Sequence, residues 1–203
     1  MIRTFIVIAL SFLLIDLNTI CSAADGRQLY LEHCATCHGI GGEGAKGPSL
    51  NKQGLLAIAS EDYFIKSIHY GRPTSGCPSF INRLKGEEIK SIAAFIKKWQ
   101  TADSVSVPGH TVEPRESEKG KKIFLVCVGC HDVGGVGAMG PSLIDPGFQA
   151  SASDGFLRGT IMYGREGTPM RGYIKGQGNV PELSEQEIDE VIAYIRYLGL
   201  KRP

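Results

Sequence analysis

Residues 34–50 read CATCHGIGGEGAKGPSL, and residues 127–143 read CVGCHDVGGVGAMGPSL. The two stretches align without a gap at an offset of 93 residues. Tyr-Gly-Arg recurs at the same offset, first at 70–72 and again at 163–165. A gapless alignment of this length within one chain is typical of an internal repeat. The sequence therefore indicates a duplication of one structural unit.

The repeat divides the chain into two predicted domains. We place domain 1 at 25–100 and domain 2 at 116–203. The segment between them, 101–115, contains proline and glycine and few apolar residues, which is typical of a surface linker. His110 lies in this segment and is expected to be a solvated loop residue.

The amino terminus has the composition of a secretory signal peptide. Residues 1–3 give a short basic start, 5–15 are almost wholly apolar, and small residues follow at 22–24. The apolar run is shorter than the roughly 20 residues that a membrane-spanning helix needs. We therefore expect cleavage of residues 1–24 and export of the mature protein to the periplasm or an equivalent compartment, with no span left in the membrane.

The charge of the chain gives no support for a nucleic-acid partner. Lys and Arg total 22 against 21 Asp and Glu, for a formal net charge of +1. Binding to a polyanion generally requires a strongly basic surface. We therefore expect no nucleic acid among the partners.

Helical periodicity is visible in both halves, and no alternating strand pattern appears. Apolar residues follow the i, i+3, i+4, i+7 rule in one closing segment of each half: Ile89, Ile92, Ala93, Ile96 and Trp99, then Ile188, Val191, Ile192, Ile195 and Leu198. Ser184 and Glu187 form a capping box before the second segment. Aligning these segments needs an offset of 99, which predicts an insertion near 175–182. The predicted fold class is all-α, with two tandem domains.

Each half carries Cys-x-x-Cys-His, the pattern through which c-type haem is attached. The two thiols add to the haem vinyl groups, and the adjacent histidine ligates the iron. Zinc would require cysteine pairs much closer together than 93 residues, and a thioredoxin-like redox pair would require strands. The sequence therefore predicts two haem c groups, attached through Cys34, Cys37, Cys127 and Cys130, with His38 and His131 as iron ligands.

Two glycine-rich stretches match the fingerprint of dinucleotide-binding proteins. Gly-x-Gly-x-x-Gly occurs at 42–47 and again at 135–140. That fingerprint is informative only between a strand and a helix. Here each copy follows an attachment motif, and nucleotide binding is therefore not predicted.

Each half resembles the cytochrome c family, and the whole chain resembles its dihaem members. The shared order is an initial helix, the attachment motif, Gly-Pro-Ser-Leu, Gly-Arg with a distal ligand, and a closing helix. The resemblance implies that the carbonyl groups of Pro48 and Pro141 accept a hydrogen bond from the proximal histidines. Such a bond fixes the orientation and the basicity of a ligating imidazole.

The resemblance also implies a distal methionine after Gly-Arg in domain 2. Met170 fits, because it lies 39 residues beyond His131 and is followed by Tyr173. Met139 and Met162 are the alternatives. Met139 lies in the glycine-rich loop on the proximal side, and Met162 precedes Gly-Arg at a packing position.

Domain 1 departs from this pattern because it contains no methionine. Cys77 lies 39 residues beyond His38 and aligns with Met170. Three hypotheses follow for haem 1, the haem of domain 1. Cys77 ligates its iron as a thiolate, which we favour; His69 ligates it; or the position is open, with Cys77 as a packing residue or free thiol.

Axial ligands set the reduction potential of a haem. A thioether favours ferrous iron and raises the potential, whereas a thiolate stabilises ferric iron. The sequence therefore predicts a low-potential haem 1 and a higher-potential haem 2 in domain 2. Electrons would enter at the first and leave from the second.

Three functions agree with this arrangement. The first, which we favour, is a periplasmic electron carrier that serves a redox partner protein. The second is an oxidoreductase, since dihaem thiosulfate dehydrogenases are similar; Cys77 would then be catalytic, and Arg72 would hold the thiosulfate anion. The third is a sensor or structural subunit whose haem 1 binds a gas. Whether the chain is an enzyme stays open at this stage.

Overall fold

The computed structural model describes residues 25–174 and 180–202. The predicted signal peptide and most of the predicted insertion lie outside these ranges. Within them, the regular structure is helical, with no strand beyond an isolated bridge between Arg72 and Cys77. This confirms the predicted all-α class. Among the described helices, none combines the length and apolar character needed to cross a lipid bilayer.

The two halves repeat the same order of helices. Domain 1 contains α1 (Gly26–His33), α2 (Ala35–His38), α3 (Gln53–Ile58), α4 (Glu61–Tyr70) and α5 (Gly86–Lys97). Domain 2 contains α6 (Glu118–Phe124), α7 (Val128–His131), α8 (Pro146–Ser151), α9 (Asp154–Tyr163) and α10 (Glu185–Lys201). The closing segments predicted from periodicity are α5 and α10.

Serine caps define where several helices begin. The side chains of Ser60, Ser117, Ser153 and Ser184 each accept a hydrogen bond from a backbone N–H in the first turn of α4, α6, α9 and α10. A cap of this kind contributes about 1 kcal/mol. The predicted capping box at Ser184 is present, with the Glu187 side chain bonded to the Ser184 backbone.

The first and last helices of each domain cross at a glycine. A Cβ atom on Gly26 would lie 2.0 Å from the carbonyl oxygen of Ser91, and one on Gly120 would lie 2.2 Å from that of Glu190. Backbone contacts this close exclude any side chain. The glycines therefore set the α1–α5 and α6–α10 crossings on which each domain is built.

The two domains pack together through equivalent surfaces. Helix α4 lies on α8, and its counterpart α9 lies on α3, the counterpart of α8. Tyr63 and Phe156 are equivalent at the offset of 93 and stack with ring centroids 4.0 Å apart and planes tilted by 16°. The interface thus has the contacts of a local twofold axis, with this aromatic pair at its centre.

Polar contacts reinforce one side of this interface. The fully buried Asp145 accepts hydrogen bonds from the Thr74 hydroxyl (2.6 Å), from the Thr74 backbone N–H (3.1 Å) and from the Phe148 backbone N–H (3.0 Å). Burial alone would raise the pKa of Asp145. The hydrogen bonds and the nearby Arg72 outweigh burial and hold that pKa below its usual value.

The linker begins along domain 1, where the Val105 N–H donates to the Ala57 carbonyl, and its later part around His110 lies on domain 2. The fully buried Arg158 donates to Asp189 Oδ1 through Nε (2.8 Å) and Nη2 (2.6 Å), and Nη1 donates to the Pro108 carbonyl. His110 Nε2 lies 2.8 Å from Asp189 Oδ2. His110 is an exposed loop residue, as expected, and it also contacts Asp189. A basic residue buried in α9 needed an acidic partner, and the linker lies across that pair.

The glycine at the α6–α10 crossing can be tested by adding one methyl group. We expect Gly120→Ala to lower the free energy of unfolding by about 1–3 kcal/mol, because the new Cβ would overlap the Glu190 carbonyl. Gly86→Ala is the matched control, since no atom lies within 4 Å of its Cβ position at the start of α5. Urea unfolding of both variants measures the difference. Equal stability of the two variants would contradict the close approach.

The carboxylate at the domain interface predicts a dependence on pH. Asp145→Asn should lower the free energy of unfolding by about 1–2 kcal/mol near neutral pH, because a charged acceptor is lost. Since the folded-state pKa is depressed, this contribution is complete above the unfolded-state pKa of about 4. It disappears as the pH falls through the lower folded-state value. Urea titrations at neutral and acidic pH measure the gap between the two proteins, and a gap that widens in acid would be inconsistent with this reasoning.

Candidate haem-binding sites

The attachment motif of domain 1 forms a single turn that presents its histidine. Helix α2 follows Cys34 directly, and His38 is its last residue. His38 Nδ1 lies 2.8 Å from the Pro48 carbonyl oxygen. A carbonyl oxygen can only accept, so Nδ1 carries the proton and donates it to Pro48. In the neutral ring the other nitrogen, Nε2, then carries no proton and can ligate a metal.

Domain 2 repeats this geometry. His131 ends α7, and its Nδ1 lies 2.8 Å from the Pro141 carbonyl oxygen. A Cβ atom on Gly140 would lie 2.8 Å from Cε1 of His131, and the same holds for Gly47 and His38. In both domains the loop thus lies directly on one edge of the imidazole. The carbonyl contacts that the family resemblance implied are present in both.

The cysteines are available for thioether attachment to haem. All five described cysteines are free thiols. Burial raises the pKa of Cys34 to about 12 and that of Cys127 to about 11, so both remain protonated at neutral pH. Within the described part of the chain, no group of three or more acidic, cysteine or histidine side chains is arranged to hold a metal ion by itself. The arrangement fits haem and gives no support to zinc.

The distal loops of the two domains share backbone hydrogen bonds. The N–H of Arg72 donates to the carbonyl of Cys77 at 2.8 Å, and the N–H of Arg165 donates to that of Met170 at 2.9 Å. Three residues after each of these positions, an aromatic N–H is bonded back to α4 or α9: Phe80 to Ile68 (3.2 Å) and Tyr173 to Ile161 (3.0 Å). Cys77 and Met170 therefore occupy equivalent positions.

Each distal loop also lies near the attachment cysteines of its own domain. Burial and then the neighbouring Cys77 raise the pKa of Cys34. In domain 2, burial raises the pKa of Tyr173 to about 12, and Cys127 and Cys130 act in the same direction. In each domain the attachment motif thus lies close to the segment that contains the distal loop.

The alternative distal residues lie elsewhere. Met139 is 71% exposed, and Met162 is 5% exposed within the hydrophobic core. Met170 is half-buried against that core. The ring of His69 packs edge-on against Tyr70, with centroids 4.7 Å apart. Met170 is the methionine that closes the hydrogen-bonded distal loop of domain 2.

Arg72 is engaged by the polypeptide itself. Its Nη1 donates to the Gly71 carbonyl at 2.7 Å, and its Nη2 donates to Ser67 Oγ at 2.9 Å and to Ser151 Oγ at 2.8 Å. Ser151 belongs to domain 2, so Arg72 links the domains. This geometry weighs against the predicted use of Arg72 to hold a substrate anion.

One residue that contacts the first attachment motif was not identified from the sequence. Tyr30 is fully buried, and its hydroxyl donates to the Gly39 carbonyl at 2.7 Å, directly after His38. Its counterpart at the offset of 93 is Ile123, which carries no hydroxyl. A comparison of the repeats position by position would have singled out this difference.

Known proteins match both halves of the chain. Residues 22–96 match the family described as cytochrome c oxidase, cbb3-type, subunit III, and residues 117–199 match the cytochrome c family. The cbb3-type cytochrome c oxidase subunit FixP of Bradyrhizobium diazoefficiens is 32% identical over 158 residues, which cover 71% of this chain and 52% of FixP. The subunit CcoP of Helicobacter pylori is 27% identical over 149 residues, covering 70% and 48%. The chain thus spans about half the length of these curated relatives.

A solved structure supports the fold. A chain of the reducing HAO-like protein complex of Kuenenia stuttgartiensis superimposes with a TM-score of 0.56 at 22% identity, covering 86% of this chain and 96% of the other. Each half of the chain is therefore a c-type cytochrome domain. The chain thus consists of two tandem cytochrome c domains, with one covalently bound haem c in each domain.

The two attachment motifs are expected to act independently. Replacing Cys34 and Cys37 together by alanine should leave one haem per chain, because the pair at Cys127 and Cys130 belongs to a separate domain. The mass of the intact purified protein measures the number of attached groups. The double variant of Cys127 and Cys130 is the matched control and should also retain one. Two haems in either double variant would contradict the assignment.

Proposed function

We propose that the protein is an exported dihaem cytochrome that carries electrons from haem 1 to haem 2 and on to a redox partner protein. Export is supported by the signal-like residues 1–24. Each haem, when bound, supplies a one-electron iron couple. The chain determines the potential of each couple and the surface through which it exchanges electrons.

The ligand sets are the first part of this proposal. His38 and Cys77 would ligate haem 1, and His131 and Met170 would ligate haem 2. The observation that carries this assignment is the common hydrogen-bonded loop that ends at Cys77 in one domain and at Met170 in the other. The half-buried position of Cys77 near Cys34 supports it as well.

The direction of transfer follows from the chemistry of the two ligands. A thiolate at Cys77 stabilises ferric iron, and the neutral thioether of Met170 favours ferrous iron. Haem 1 would then hold the electron less tightly than haem 2. The contacts of α4 with α8 and of α9 with α3 hold the two domains together.

The surface of domain 2 supports an exit for electrons there. Exposed apolar side chains surround its attachment motif: Leu125, Val126, Val133, Val136 and Met139. Their counterparts at the offset of 93 are mostly polar: Glu32, His33, Ile40, Glu43 and Lys46. An exposed apolar patch is typical of a docking surface. We therefore infer that a partner with a complementary apolar face docks on domain 2.

The relatives suggest the setting in which this transfer takes place. FixP and CcoP are subunits of cbb3-type cytochrome c oxidases. We infer that this chain also serves a respiratory redox complex, through its haem domains. The chain spans about half the length of FixP and CcoP. We propose from this similarity that it belongs to an oxidase complex.

A thiosulfate-oxidising enzyme is the second candidate function. Cys77 is compatible with this function, because thiosulfate oxidation would require a thiol at the distal position of a haem. The guanidinium of Arg72 already donates hydrogen bonds to Gly71, Ser67 and Ser151. It is therefore not free to hold the thiosulfate anion as this function would require. For this reason we favour the electron carrier.

Electron paramagnetic resonance of the oxidised holoprotein tests the ligand assignment. We expect one signal of a thiolate-ligated haem and one of a His/Met haem in the wild type. Cys77→Met should convert the first signal into a second His/Met-type signal and raise the midpoint potential of haem 1, because the negative ligand is lost. Cys77→Ser is the matched control that keeps the size of the side chain. Two His/Met-like signals in the wild type would exclude the thiolate.

A steady-state assay separates the two functions. Wild-type holoprotein is mixed with thiosulfate and an artificial electron acceptor, and reduction of the acceptor is followed. If the protein is an electron carrier, we expect no turnover of thiosulfate, although a chemical donor still reduces haem 2. Turnover that is lost in Cys77→Ser would establish the enzyme instead.

A further inference from the structure

The distal loop of domain 1, residues 71–77, lies against one helix of domain 2. A Cβ atom on Gly147 of α8 would lie 2.1 Å from the carbonyl oxygen of Gly71, so the helix and the loop meet backbone to backbone. Further along α8, Ser151 accepts a hydrogen bond from Arg72 at 2.8 Å. The beginning of this loop is therefore held from outside its own domain.

Asp145, the N-cap residue of α8, holds the middle of the same loop. Its Oδ1 accepts from the Phe148 N–H at 3.0 Å and so begins the helix. Its Oδ2 accepts from Thr74 twice, from the hydroxyl at 2.6 Å and from the backbone N–H at 3.1 Å. Hydrogen bonds to a charged acceptor are about twice as strong as neutral ones. One fully buried carboxylate thus connects the start of α8 to a position three residues before Cys77.

The corresponding position on the other side of the interface has the opposite charge. At the offset of 93, Asp145 corresponds to Lys52 at the N-cap of α3. Thr74 corresponds to Gly167, whose Cβ position lies 3.4 Å from Cε of Lys52. The two segments therefore meet in the same way, but an ammonium group cannot accept a hydrogen bond and glycine has no hydroxyl to donate one. The anchor formed by a carboxylate and Thr74 is thus specific to the distal loop of domain 1.

The loop of domain 1 needs such an anchor because it contains two glycines. Gly71 and Gly76 have φ angles of 67° and 78°, in the left-handed region that glycine adopts readily. Gly76 directly precedes Cys77. A segment with this freedom loses more conformational entropy when it becomes ordered. The hydrogen bonds from Thr74 to Asp145 offset part of that cost and restrict where Cys77 can lie.

We propose that Asp145 is a positioning residue for haem 1, which acts from domain 2 by holding the loop that presents Cys77. The inference rests on the proposed ligation of haem 1 by Cys77 and deepens it. Residues that lie behind a metal ligand orient that ligand and tune the metal. The site of haem 1 is then complete only when domain 2 is in place, whereas Lys52 cannot hold the loop of Met170 in this way.

The charge of Asp145 acts on the same site. Although burial raises it, hydrogen bonds from Thr74 and Phe148 hold the pKa of Asp145 below its usual value, so the carboxylate is ionised at neutral pH. Its field reaches Cys77: burial raises the pKa of that thiol, Arg72 opposes the rise, and Asp145 adds to it. A buried negative charge near a haem favours the more positive ferric iron, because charges interact strongly where water is excluded. Asp145 is therefore expected to lower the potential of haem 1.

Electron paramagnetic resonance and spectroelectrochemical titration of the holoprotein test this role together. Asp145→Asn keeps the size of the side chain and removes its charge. We expect the midpoint potential of haem 1 to rise and its thiolate signal to weaken, while the potential and the His/Met signal of haem 2 stay unchanged. Lys52→Gln is the matched control at the corresponding position and should leave haem 1 unchanged. A wild-type potential and signal of haem 1 in folded Asp145→Asn would overturn the proposal.

A pair of Thr74 variants separates positioning from a role in stability alone, and it decides the question if Asp145→Asn does not fold. Thr74→Val removes the hydroxyl, leaves the charge of Asp145 in place and should weaken the thiolate signal of haem 1. Thr74→Ser keeps the hydroxyl and should restore the wild-type signal. A Thr74→Val protein that is less stable but has the wild-type signal would show that the contact only holds the domains together, and the positioning role would be wrong.

Failure of this proposal is distinguishable from failure of the proposed ligation. If the wild-type protein shows no thiolate signal, Cys77 does not ligate haem 1, and both are overturned. If the thiolate signal is present and neither Asp145→Asn nor Thr74→Val alters it, the ligation stands and the positioning role of Asp145 is overturned.

Discussion

The hydrogen bond from each proximal imidazole to a proline carbonyl is the contact on which both sites depend. It fixes the tautomer of His38 and His131 and so leaves one nitrogen of each ring available to iron. The loop that supplies the carbonyl must lie directly on the ring, which is why glycine precedes each proline. The helices support this geometry. In each domain the crossing at Gly26 or Gly120 positions the helix that leads into the first attachment cysteine.

Much of this arrangement could be predicted from the sequence, since its residues occur at matching positions of the internal repeat. The attachment motifs, the two prolines and the 39-residue spacing to Cys77 and Met170 are local features, and local hydrogen bonds determine them. The roles of Arg72 and His110 could not be predicted. Each depends on a residue about 80 positions away, Ser151 or Asp189, and no periodicity or motif connects such positions.

The interface shows how the duplicated domains have diverged. Tyr63 and Phe156, which are equivalent in the repeat, still stack at its centre. Around that pair, Ser151 is matched by Ile58, and a hydrogen bond that exists on one side has no equivalent on the other. The apolar centre holds the domains together, because the free energy gained by burying apolar surface does not depend on an exact pairing of side chains. The polar periphery is therefore free to change, and it is the periphery that lies nearest the distal loops.

The difference between the two distal loops acts on the haems in opposite directions. A thiolate at Cys77 would lower the potential of haem 1, and the thioether of Met170 would keep the potential of haem 2 higher. Both ligands would stand on the same loop, because Arg72 donates to Cys77 as Arg165 donates to Met170. One substitution on a common scaffold would therefore convert two equivalent haem sites into a donor and an acceptor without any change in the fold.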